Sequence, residues 1–470
     1  MTDEHLISEL AALVAENHCL VGNAMAPFLL DQRQRYQGTA LAVVQPASTP
    51  EVAEIVQFCA RAGISIVPQG GNTSLVGGAV PESAGPQVVV SMTRMNQIRN
   101  LDKDNYTITA EAGCILEHIQ QAAEAQAMLF PLSLGAQGSC QVGGNLGTNA
   151  GGTGVLKYGS ARDLVLGLEV VLADGRIWNG LRRLRKDNTG YKLQQLFIGS
   201  EGTLGIITAA VLKLFPRPRE VHTALVALAG TQAAVQLLAR LREASGDCVV
   251  TFEYMNQTSV QLAMDYMPGN RNPLADQQHY VLCEVAGGSG DGRLRQGMET
   301  AVGDALEAGE VVDAVLAESV AQARSLWRIR ESIPEAQVRA GPSIKHDVSV
   351  PVSSIPELLE RGSALIRNLL PDALVVAFGH IGDGNIHFNV NQSPLAGAAD
   401  LDCVAGAISA ALYALVAELD GSFSAEHGVG QLKREQLLMY RTQVEVDMMR
   451  RIKAALDPKG IFNPGKIFKP

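Results

Sequence analysis

The sequence predicts a protein of mixed α and β structure with two or three domains, and three observations carry this prediction. The chain has 470 residues, more than a single hydrophobic core usually organises. Hydrophobic residues make up 47% of the chain and glycine contributes 47 residues, which is typical of a well-buried protein with many loops. Apolar runs with strand character alternate with helical patterns, and Pro216 and Pro218 interrupt them. We therefore expect a domain boundary within Leu214 to Arg219.

The first element that suggests chemistry is a short strand that runs into a glycine-rich loop. A helical pattern from Pro50 to Ala62 precedes the apolar run Ile64 to Val67, and the loop follows directly. Such a loop presents successive backbone N–H groups to an anion, and glycine lets the backbone approach a pyrophosphate. Short polar side chains add donors. The loop comprises Pro68, Gln69, Gly70, Gly71, Asn72, Thr73 and Ser74, followed by Gly77 and Gly78.

A second glycine cluster follows in the same half of the chain. It runs from Leu134 to Ser139 and continues from Gly143 to Gly152. Together the two clusters suit a dinucleotide. Neither is a G-x-G-x-x-G motif that opens a helix after a first strand, and neither is a P-loop with its Lys-Ser/Thr pair, so nicotinamide and ATP are disfavoured as ligands.

A divalent metal site is predicted in the C-terminal half. The apolar run Ala373 to Phe378 leads into a Gly-Asp-Gly-Asn turn and returns through Ile386 to Val390, which predicts a β-hairpin. His380 and His387 would face one another across it, and Glu426 would add an anionic ligand from a distant segment. Two imidazoles and one carboxylate leave an open coordination position, as in catalytic zinc sites.

Composition and charge exclude several other classes of protein. The formal net charge of -10 argues against nucleic acid or an anionic membrane surface as a broad partner. Seven cysteines without a CxxC pair indicate neither an iron–sulfur cluster nor a disulfide framework. We expect no signal region, no integral membrane segment and a cytoplasmic location.

Six motifs occur in a fixed order along nearly the whole chain from about Tyr36. They are Pro68 to Gly78, Gly143 to Gly152, Ile198 to Ile207, the His380 segment, the Glu426 segment, and Asp457 to Lys466. This ordered set resembles the FAD-linked D-2-hydroxyacid dehydrogenases, a branch of the vanillyl-alcohol oxidase type flavoproteins. The resemblance implies an α+β fold with a two-subdomain FAD-binding domain of the PCMH type over residues 36–217, after a helical appendage of residues 1–35. Residues 218–470 would form an α/β substrate cap with an antiparallel sheet and a C-terminal helical segment.

The resemblance also assigns cofactor-binding residues. The first loop would hold the FAD pyrophosphate and the second cluster would line the flavin, with Glu201 and Ile207 closing over the cofactor. No histidine lies between His18 and His118, so we expect noncovalent FAD, with Cys140 as the remaining covalent alternative. The expected FAD contacts are Pro68, Gly70, Gly71, Asn72, Thr73, Ser74, Gly77, Leu134, Gly135, Ser139, Gly143, Gly144, Thr148, Asn149, Gly152, Glu201 and Ile207.

The expected reaction is oxidation of a D-2-hydroxy acid to the 2-oxo acid by hydride transfer to flavin N5. A metal ion at the hydroxyl, Zn²⁺ with Mn²⁺ as the alternative, would lower the pKa of that group. His427 is the candidate general base and a substrate contact, as the family assigns to the matching histidine. A metal hydrolase that binds a nucleotide, or a flavin-dependent synthase of the alkyl-dihydroxyacetone-phosphate type, remains the distant alternative.

Substrate choice rests on segments that resemble D-2-hydroxyglutarate dehydrogenases. Arg330 and Lys345 match the cations that hold the distal carboxylate there, and Asn389 can point a neutral amide into the site. Pro334 stands where the eukaryotic enzymes have a hydroxyl residue, and proline cannot donate, so the resemblance does not carry over that residue's contact with the distal carboxylate. D-lactate, glycolate or another D-2-hydroxy acid stays open as the alternative substrate. We expect electrons to leave to an electron-transfer flavoprotein or a quinone-linked acceptor, and a homodimer remains an open alternative for the oligomeric state.

Overall fold

The computed structural model describes residues 2–82, 85–394 and 401–469, and these residues form two compact units. The first unit comprises Met1–Gly151, Gly159–Pro216 and Glu426–Pro470, and the second comprises Gly152–Tyr158 and Arg217–Ala425. The division after residue 216 falls within the predicted boundary segment. The structure differs from the predicted domain division at two places. Residues 1–35 and residues 426–470 both belong to the first unit, together with most of residues 36–216.

Helices and strands are interspersed along the whole described part of the chain. Those of residues 2–216 are α1 (Asp3–Val14), β1 (Cys19–Leu20), α2 (Ala26–Leu29), β2 (Ala42–Val44), α3 (Thr49–Ala62), β3 (Ser65–Gln69), β4 (Gln87–Ser91), β5 (Ile98–Asp102), β6 (Thr107–Glu111), α4 (Leu116–Glu124), β7 (Met128–Leu129), α5 (Val142–Gly147), α6 (Val155–Tyr158), β8 (Val165–Val171), β9 (Ile177–Asn179), α7 (Gln194–Phe197), β10 (Ile206–Lys213) and β11 (Phe215–Pro216). Those of the later residues are β12 (Glu220–Leu228), α8 (Thr231–Ala244), β13 (Val249–Asn256), α9 (Gln257–Tyr266), β14 (His279–Gly287), α10 (Arg293–Glu307), β15 (Val311–Leu316), α11 (Val320–Ala340), β16 (Ser343–Ile344), β17 (Asp347–Ser349), α12 (Ile355–Leu369), β18 (Leu374–Gly379), β19 (Asn385–Asn391), α13 (Leu401–Glu418), α14 (Arg434–Tyr440) and α15 (Gln443–Leu456).

The first unit contains two main sheets. One has the order β1-β2-β4-β3, in which β4 pairs in parallel with β2 and β3, and the other is antiparallel with the order β5-β6-β10-β8-β9. Helix α1 turns Leu6, Leu10 and Val14 into the same apolar core as α3. The prediction of an N-terminal appendage is therefore wrong, because these side chains are buried in the core of the first unit.

The second unit is built on one large sheet with the order β15-β12-β14-β13-β18-β19-β16, with β17 also paired to β19. Consecutive residues of β19 point to opposite faces of this sheet. Asn389 is hydrogen-bonded to Gln337 of α11, whereas Phe388 lies against Gly362 of α12. Helices of the second unit therefore pack on both faces of this sheet.

Helix α13 is long and rich in apolar residues. It is the one helix there with the length and composition of a membrane span, a test that core helices of soluble proteins also pass. Its inward side chains include Ile408, Leu412 and Val416. We treat this single helix as weak evidence for a membrane span.

Candidate active site

The two glycine clusters meet in the first unit. Strand β3 ends at Gln69, and the loop after it runs directly against the second cluster. A Cβ atom on Gly71 would lie 2.1 Å from the carbonyl oxygen of Ser139, and one on Gly70 would lie 3.4 Å from the backbone nitrogen of Gly144. Only glycine permits the first of these approaches.

Two polar side chains of the first loop are used to shape the loop. Asn72 has a positive φ of 53°, and its Nδ2 donates to the carbonyl oxygen of Leu30 at 2.8 Å. The Ser74 hydroxyl accepts from the N–H of Gly78 at 3.2 Å. These contacts hold the loop in place, while the binding roles expected for its residues remain predictions.

The two glycine clusters contain open space and buried acceptors without donors. No described atom lies within 4 Å of a Cβ placed on Gly135 or Gly144, so both face open space. Among the described residues, the buried side-chain oxygens of Asn72, Gln141 and Asn145 have no hydrogen-bond donor. Buried acceptors without donors, in clusters that also contain open space, fit a cofactor that brings donors of its own, as the ribityl hydroxyls and the ring N–H of FAD do.

The rest of the second cluster is fixed by local contacts. Asn149 has a φ of 52°, and its Oδ1 accepts from the N–H of Arg162 at 2.9 Å. The Thr148 hydroxyl donates to the carbonyl oxygen of Gly144 at 3.1 Å. Four other residues were expected to contact FAD. Gly143 packs on Ala112, and Gly152 has a φ of 102°. Leu134 is half-buried, and Ile207 is buried in β10.

Glu201 ties the glycine clusters to the segment that follows Glu426. Its carboxylate accepts from the N–H groups of Val429 at 2.8 Å and Gly430 at 2.7 Å. Burial raises the pKa of Glu201, and these two hydrogen bonds oppose the rise. A Cβ on Gly151 would lie 2.3 Å from Oε1 of Glu426. The first unit therefore holds the Glu426 segment against the second glycine cluster.

The predicted hairpin is formed by β18 and β19 of the second unit. The strands pair antiparallel, and the turn uses positive φ at Gly379 and Gly384. The ring centroids of His380 and His387 are 5.6 Å apart. The structure thus brings together the two histidines that the sequence singled out.

A buried carboxylate lies at Nδ1 of each of these histidines. Oε1 of Glu253 is 2.5 Å from Nδ1 of His380, and Oδ1 of Asp347 is 3.6 Å from Nδ1 of His387. Metal-binding histidines commonly have a carboxylate at the ring nitrogen that does not bind the ion, so this donor set fits a divalent metal. The carbonyl oxygen of Asp347 accepts from the N–H of Ala425, and Glu426 is the next residue in the chain.

Glu253 also holds Arg330. The Nε of Arg330 donates to Oε2 of Glu253 at 2.7 Å, and the guanidinium lies 4.8 Å above the ring of Phe378. Burial alone would raise the pKa of Glu253, but the charges of His380 and Arg330 outweigh burial and lower the pKa to about 2. Sequence reasoning missed Glu253. The one available signal was a lone acidic residue in the apolar strand β13.

Lys345 and Asn389 lie on neighbouring segments of the same sheet edge. Lys345 is half-buried between β16 and β17, which both pair with β19. The side chain of Asn389 accepts from the N–H of His346 at 3.0 Å and donates to Gln337 at 3.1 Å. The amide of Asn389 therefore joins strand and helix, while its expected substrate contact stays a prediction.

Comparison with known proteins identifies the family. Residues 217–467 match the family described as FAD linked oxidases, C-terminal domain, and residues 40–180 match an FAD binding domain. D-2-hydroxyglutarate dehydrogenase of Xanthomonas citri pv. viticola is 36% identical over 470 residues, covering 100% of this chain and 98% of the relative. The mitochondrial D-2-hydroxyglutarate dehydrogenase of Arabidopsis thaliana is 38% identical, covering 93% of this chain and 76% of the relative.

A mitochondrial protein of Schizosaccharomyces pombe, named as a candidate D-lactate dehydrogenase, is 37% identical and covers 93% of this chain and 84% of the relative. Among solved structures, p-cresol methylhydroxylase has a TM-score of 0.76 at 16% identity, covering 99% of this chain and 97% of that chain. Alkyldihydroxyacetonephosphate synthase has a TM-score of 0.76 at 18% identity, covering 98% and 84%. These two likenesses show the fold alone. The chain belongs to the FAD-dependent D-2-hydroxyacid dehydrogenases.

Proposed function

We propose that this enzyme oxidises D-2-hydroxyglutarate to 2-oxoglutarate with the help of a divalent metal ion. The observation that carries the proposal is the adjacency, within the second unit, of the His380–His387 pair and Arg330, which are linked through Glu253. A hydroxy diacid needs a cation for its distal carboxylate near the groups that bind its hydroxy acid end. The second unit provides the cation, Arg330, and a histidine pair that could bind the hydroxy acid end through a metal ion.

His380, His387 and Glu426 are the proposed ligands of the ion, which would be Zn²⁺ or Mn²⁺. An ion held there supplies Lewis acidity that lowers the pKa of the substrate hydroxyl. FAD, when bound by the glycine loops, supplies the acceptor for the hydride from Cα at flavin N5. His427 is proposed to remove the hydroxyl proton as general base.

Arg330 and Lys345 are proposed to hold the distal carboxylate. Among the described residues, Nε is the only nitrogen of the Arg330 guanidinium with a protein acceptor, so Nη1 and Nη2 can donate to a substrate. Two such donors match the geometry of a carboxylate. The relatives named D-2-hydroxyglutarate dehydrogenase support this choice of substrate.

D-lactate is the second candidate, and glycolate belongs with it. The relative from Schizosaccharomyces pombe supports it. Pro334 of α11 also favours it, because proline has no N–H or hydroxyl to offer a distal carboxylate. We propose an electron-transfer flavoprotein or a quinone-linked protein as the electron acceptor for either substrate.

A comparison of substrates on one enzyme tests the proposal. Anaerobic addition of D-2-hydroxyglutarate should bleach the flavin bands, and kcat/KM should exceed that for D-lactate, because lactate leaves the two cations unpaired. L-2-hydroxyglutarate serves as the control and should leave the flavin oxidised. A higher kcat/KM for D-lactate than for D-2-hydroxyglutarate would contradict the proposal and favour D-lactate as the substrate.

A further inference from the structure

We propose that Glu253 is a positioning residue that fixes His380 and Arg330 relative to each other, so that metal binding and recognition of the diacid are coupled through one carboxylate. This inference rests on the proposed function. It adds a residue that lies outside the expected ligands and substrate contacts.

The carboxylate of Glu253 is fully buried, and its two oxygens serve different partners. Oε1 accepts from Nδ1 of His380 at 2.5 Å, and Oε2 accepts from Nε of Arg330 at 2.7 Å. The side chain of Glu253 has an exposed fraction of 0%, and those of His380 and Arg330 each have 9%. A buried carboxylate between two such donors leaves neither side chain free to turn.

The contact with His380 decides which ring nitrogen can bind a metal ion. Because Oε1 of Glu253 is an acceptor, the neutral imidazole of His380 carries its hydrogen on Nδ1 and has its lone pair on Nε2. A carboxylate in this position also raises the basicity of the ring nitrogen that binds the ion. Glu253 thus prepares His380 as a ligand through Nε2.

The contact with Arg330 decides which edge of the guanidinium can meet a substrate. Nε is engaged by Glu253, and the ring of Phe378 covers one face at 4.8 Å. Nη1 and Nη2, the other edge of the fork, keep their hydrogens for a carboxylate. The same residue that orients His380 therefore orients the proposed diacid contact.

Glu253 lies on a strand that is paired on both sides. It lies within β13, which pairs with β14 on one side and with β18 on the other, and β18 leads directly to His380. Arg330 is carried by α11, which packs on the same face of the sheet through Leu326 and Ile329. A displacement of one partner of Glu253 is consequently transmitted to the other.

Replacement of the carboxylate by its neutral isostere tests the inference. Glu253→Gln in the FAD-loaded enzyme should weaken Zn²⁺ binding about 10-fold to 100-fold, the usual effect of losing such a partner. Binding is measured by competition with a chromophoric chelator. The kcat/KM ratio of D-2-hydroxyglutarate to D-lactate should fall as well. The control is Glu220→Gln, a buried glutamate of β12 in the same sheet that accepts from the N–H of Gly292, and it should change neither quantity.

A second pair of variants covers the case in which Glu253→Gln does not fold, because a lone buried Arg330 charge is destabilising. Arg330→Met alone should keep Zn²⁺ affinity, since His380 retains Glu253, while kcat/KM for D-2-hydroxyglutarate falls about 30-fold or more. The double variant Glu253→Gln/Arg330→Met should lose Zn²⁺ affinity as well.

Two results separate this inference from the proposed function. Zn²⁺ affinity equal to that of the matched parent in Glu253→Gln, or in the double variant, would overturn the role of Glu253 alone. A wild-type enzyme that binds no Zn²⁺, or that prefers D-lactate, would instead overturn the proposed function.

Discussion

The two hairpin histidines differ in the strength of their carboxylate contacts. His380 has Glu253 at 2.5 Å, which is within hydrogen-bonding distance, whereas the 3.6 Å from Asp347 to His387 exceeds it. Asp347 is in turn held by the side-chain amide of Asn385 at 2.9 Å. Of the two carboxylate contacts, the one at His380 is therefore the hydrogen bond.

His427 follows Glu426 and is the proposed base. His427→Asn should lower the rate of flavin reduction about 100-fold or more, because the substrate hydroxyl loses its proton acceptor while metal content is preserved. Stopped-flow absorbance with D-2-hydroxyglutarate measures the rate. His118→Asn, an exposed histidine of α4, is the control and should reduce flavin at the wild-type rate. An unchanged rate in His427→Asn would remove this residue from the role of base.

Single residues differed in how well the sequence predicted them. His380 and His387 were readable because a short hairpin sets their spacing, and the strand pairing confirms that hairpin. Glu253 was not readable, because its partners lie 77 and 127 residues away and meet it only through the strand order of the sheet. Local patterns carry no information about such distant pairs.

Elements with a local signal were predicted closely. Helix α3 ends where its pattern indicates and begins one residue earlier, and β19 extends one residue beyond its predicted run at each end. The sequence did not predict which faces of the large sheet are covered by helices. Strand β19 is covered on both faces, by α11 and by α12, and its alternation of polar and apolar residues does not indicate that a helix lies on each side. The prediction that α1 belongs to an appendage was wrong for a similar reason. The apolar stripe of α1 shows that one side of the helix is buried, but it does not show against which core.

Helix α5 offers a test of the FAD site at the scale of one element. Gly144→Ala should leave the apoprotein as stable or up to about 1 kcal/mol more stable, because alanine is the better helix former and the added Cβ meets open space. The same variant should bind FAD more weakly, since the methyl group occupies that space. Thermal unfolding of the apoprotein and titration with FAD measure the two effects.

Gly71→Ala provides the contrast. Its Cβ would lie 2.1 Å from the carbonyl oxygen of Ser139, so apoprotein stability and FAD affinity should both decrease. If Gly144→Ala bound FAD as tightly as the wild-type protein, the open space beside α5 would not be part of the FAD site.

Lys466, in the segment after α15, has an exposed fraction of 2%, and its Nζ donates to Pro464 at 3.3 Å. Burial lowers the pKa of Lys466 to about 8, although the charge of Glu82 opposes this. Below pH 8 both folded and unfolded chains carry the proton, so the penalty of the buried charge is present in full. Between about pH 8 and the unfolded value near 10.4, the unfolded chain binds more protons, and this group makes stability rise with pH.

Lys466→Met should therefore increase the free energy of unfolding at pH 7 by up to about 3 kcal/mol, and the gain should shrink towards pH 10. Chemical denaturation at both pH values measures it. Lys469→Met, an exposed lysine paired with Glu435, is the matched control and should give no such gain. A gain that is equal at pH 7 and pH 10 would contradict the assignment.

At the scale of the whole molecule, the first glycine loop and the second glycine cluster up to Gly151 lie in the first unit, and the hairpin histidines lie in the second. Removal of the metal ion by a chelator should consequently abolish turnover while FAD stays bound. Flavin absorbance after gel filtration and the rate with D-2-hydroxyglutarate measure the two outcomes, and addition of Zn²⁺ should restore the rate. Full turnover in metal-free enzyme would refute the metal proposal.

The path of the chain through the two units has a consequence for synthesis on the ribosome. Strand β3 makes parallel contact with Phe462, and the backbone of Ile66 exchanges hydrogen bonds with Ile461 and Asn463. The nascent first unit thus keeps an unpaired strand edge until these late residues emerge, and such edges invite aggregation. The second unit is nearly continuous and complete at residue 425. The later half of the chain is therefore able to finish folding before the earlier half, the reverse of the usual order.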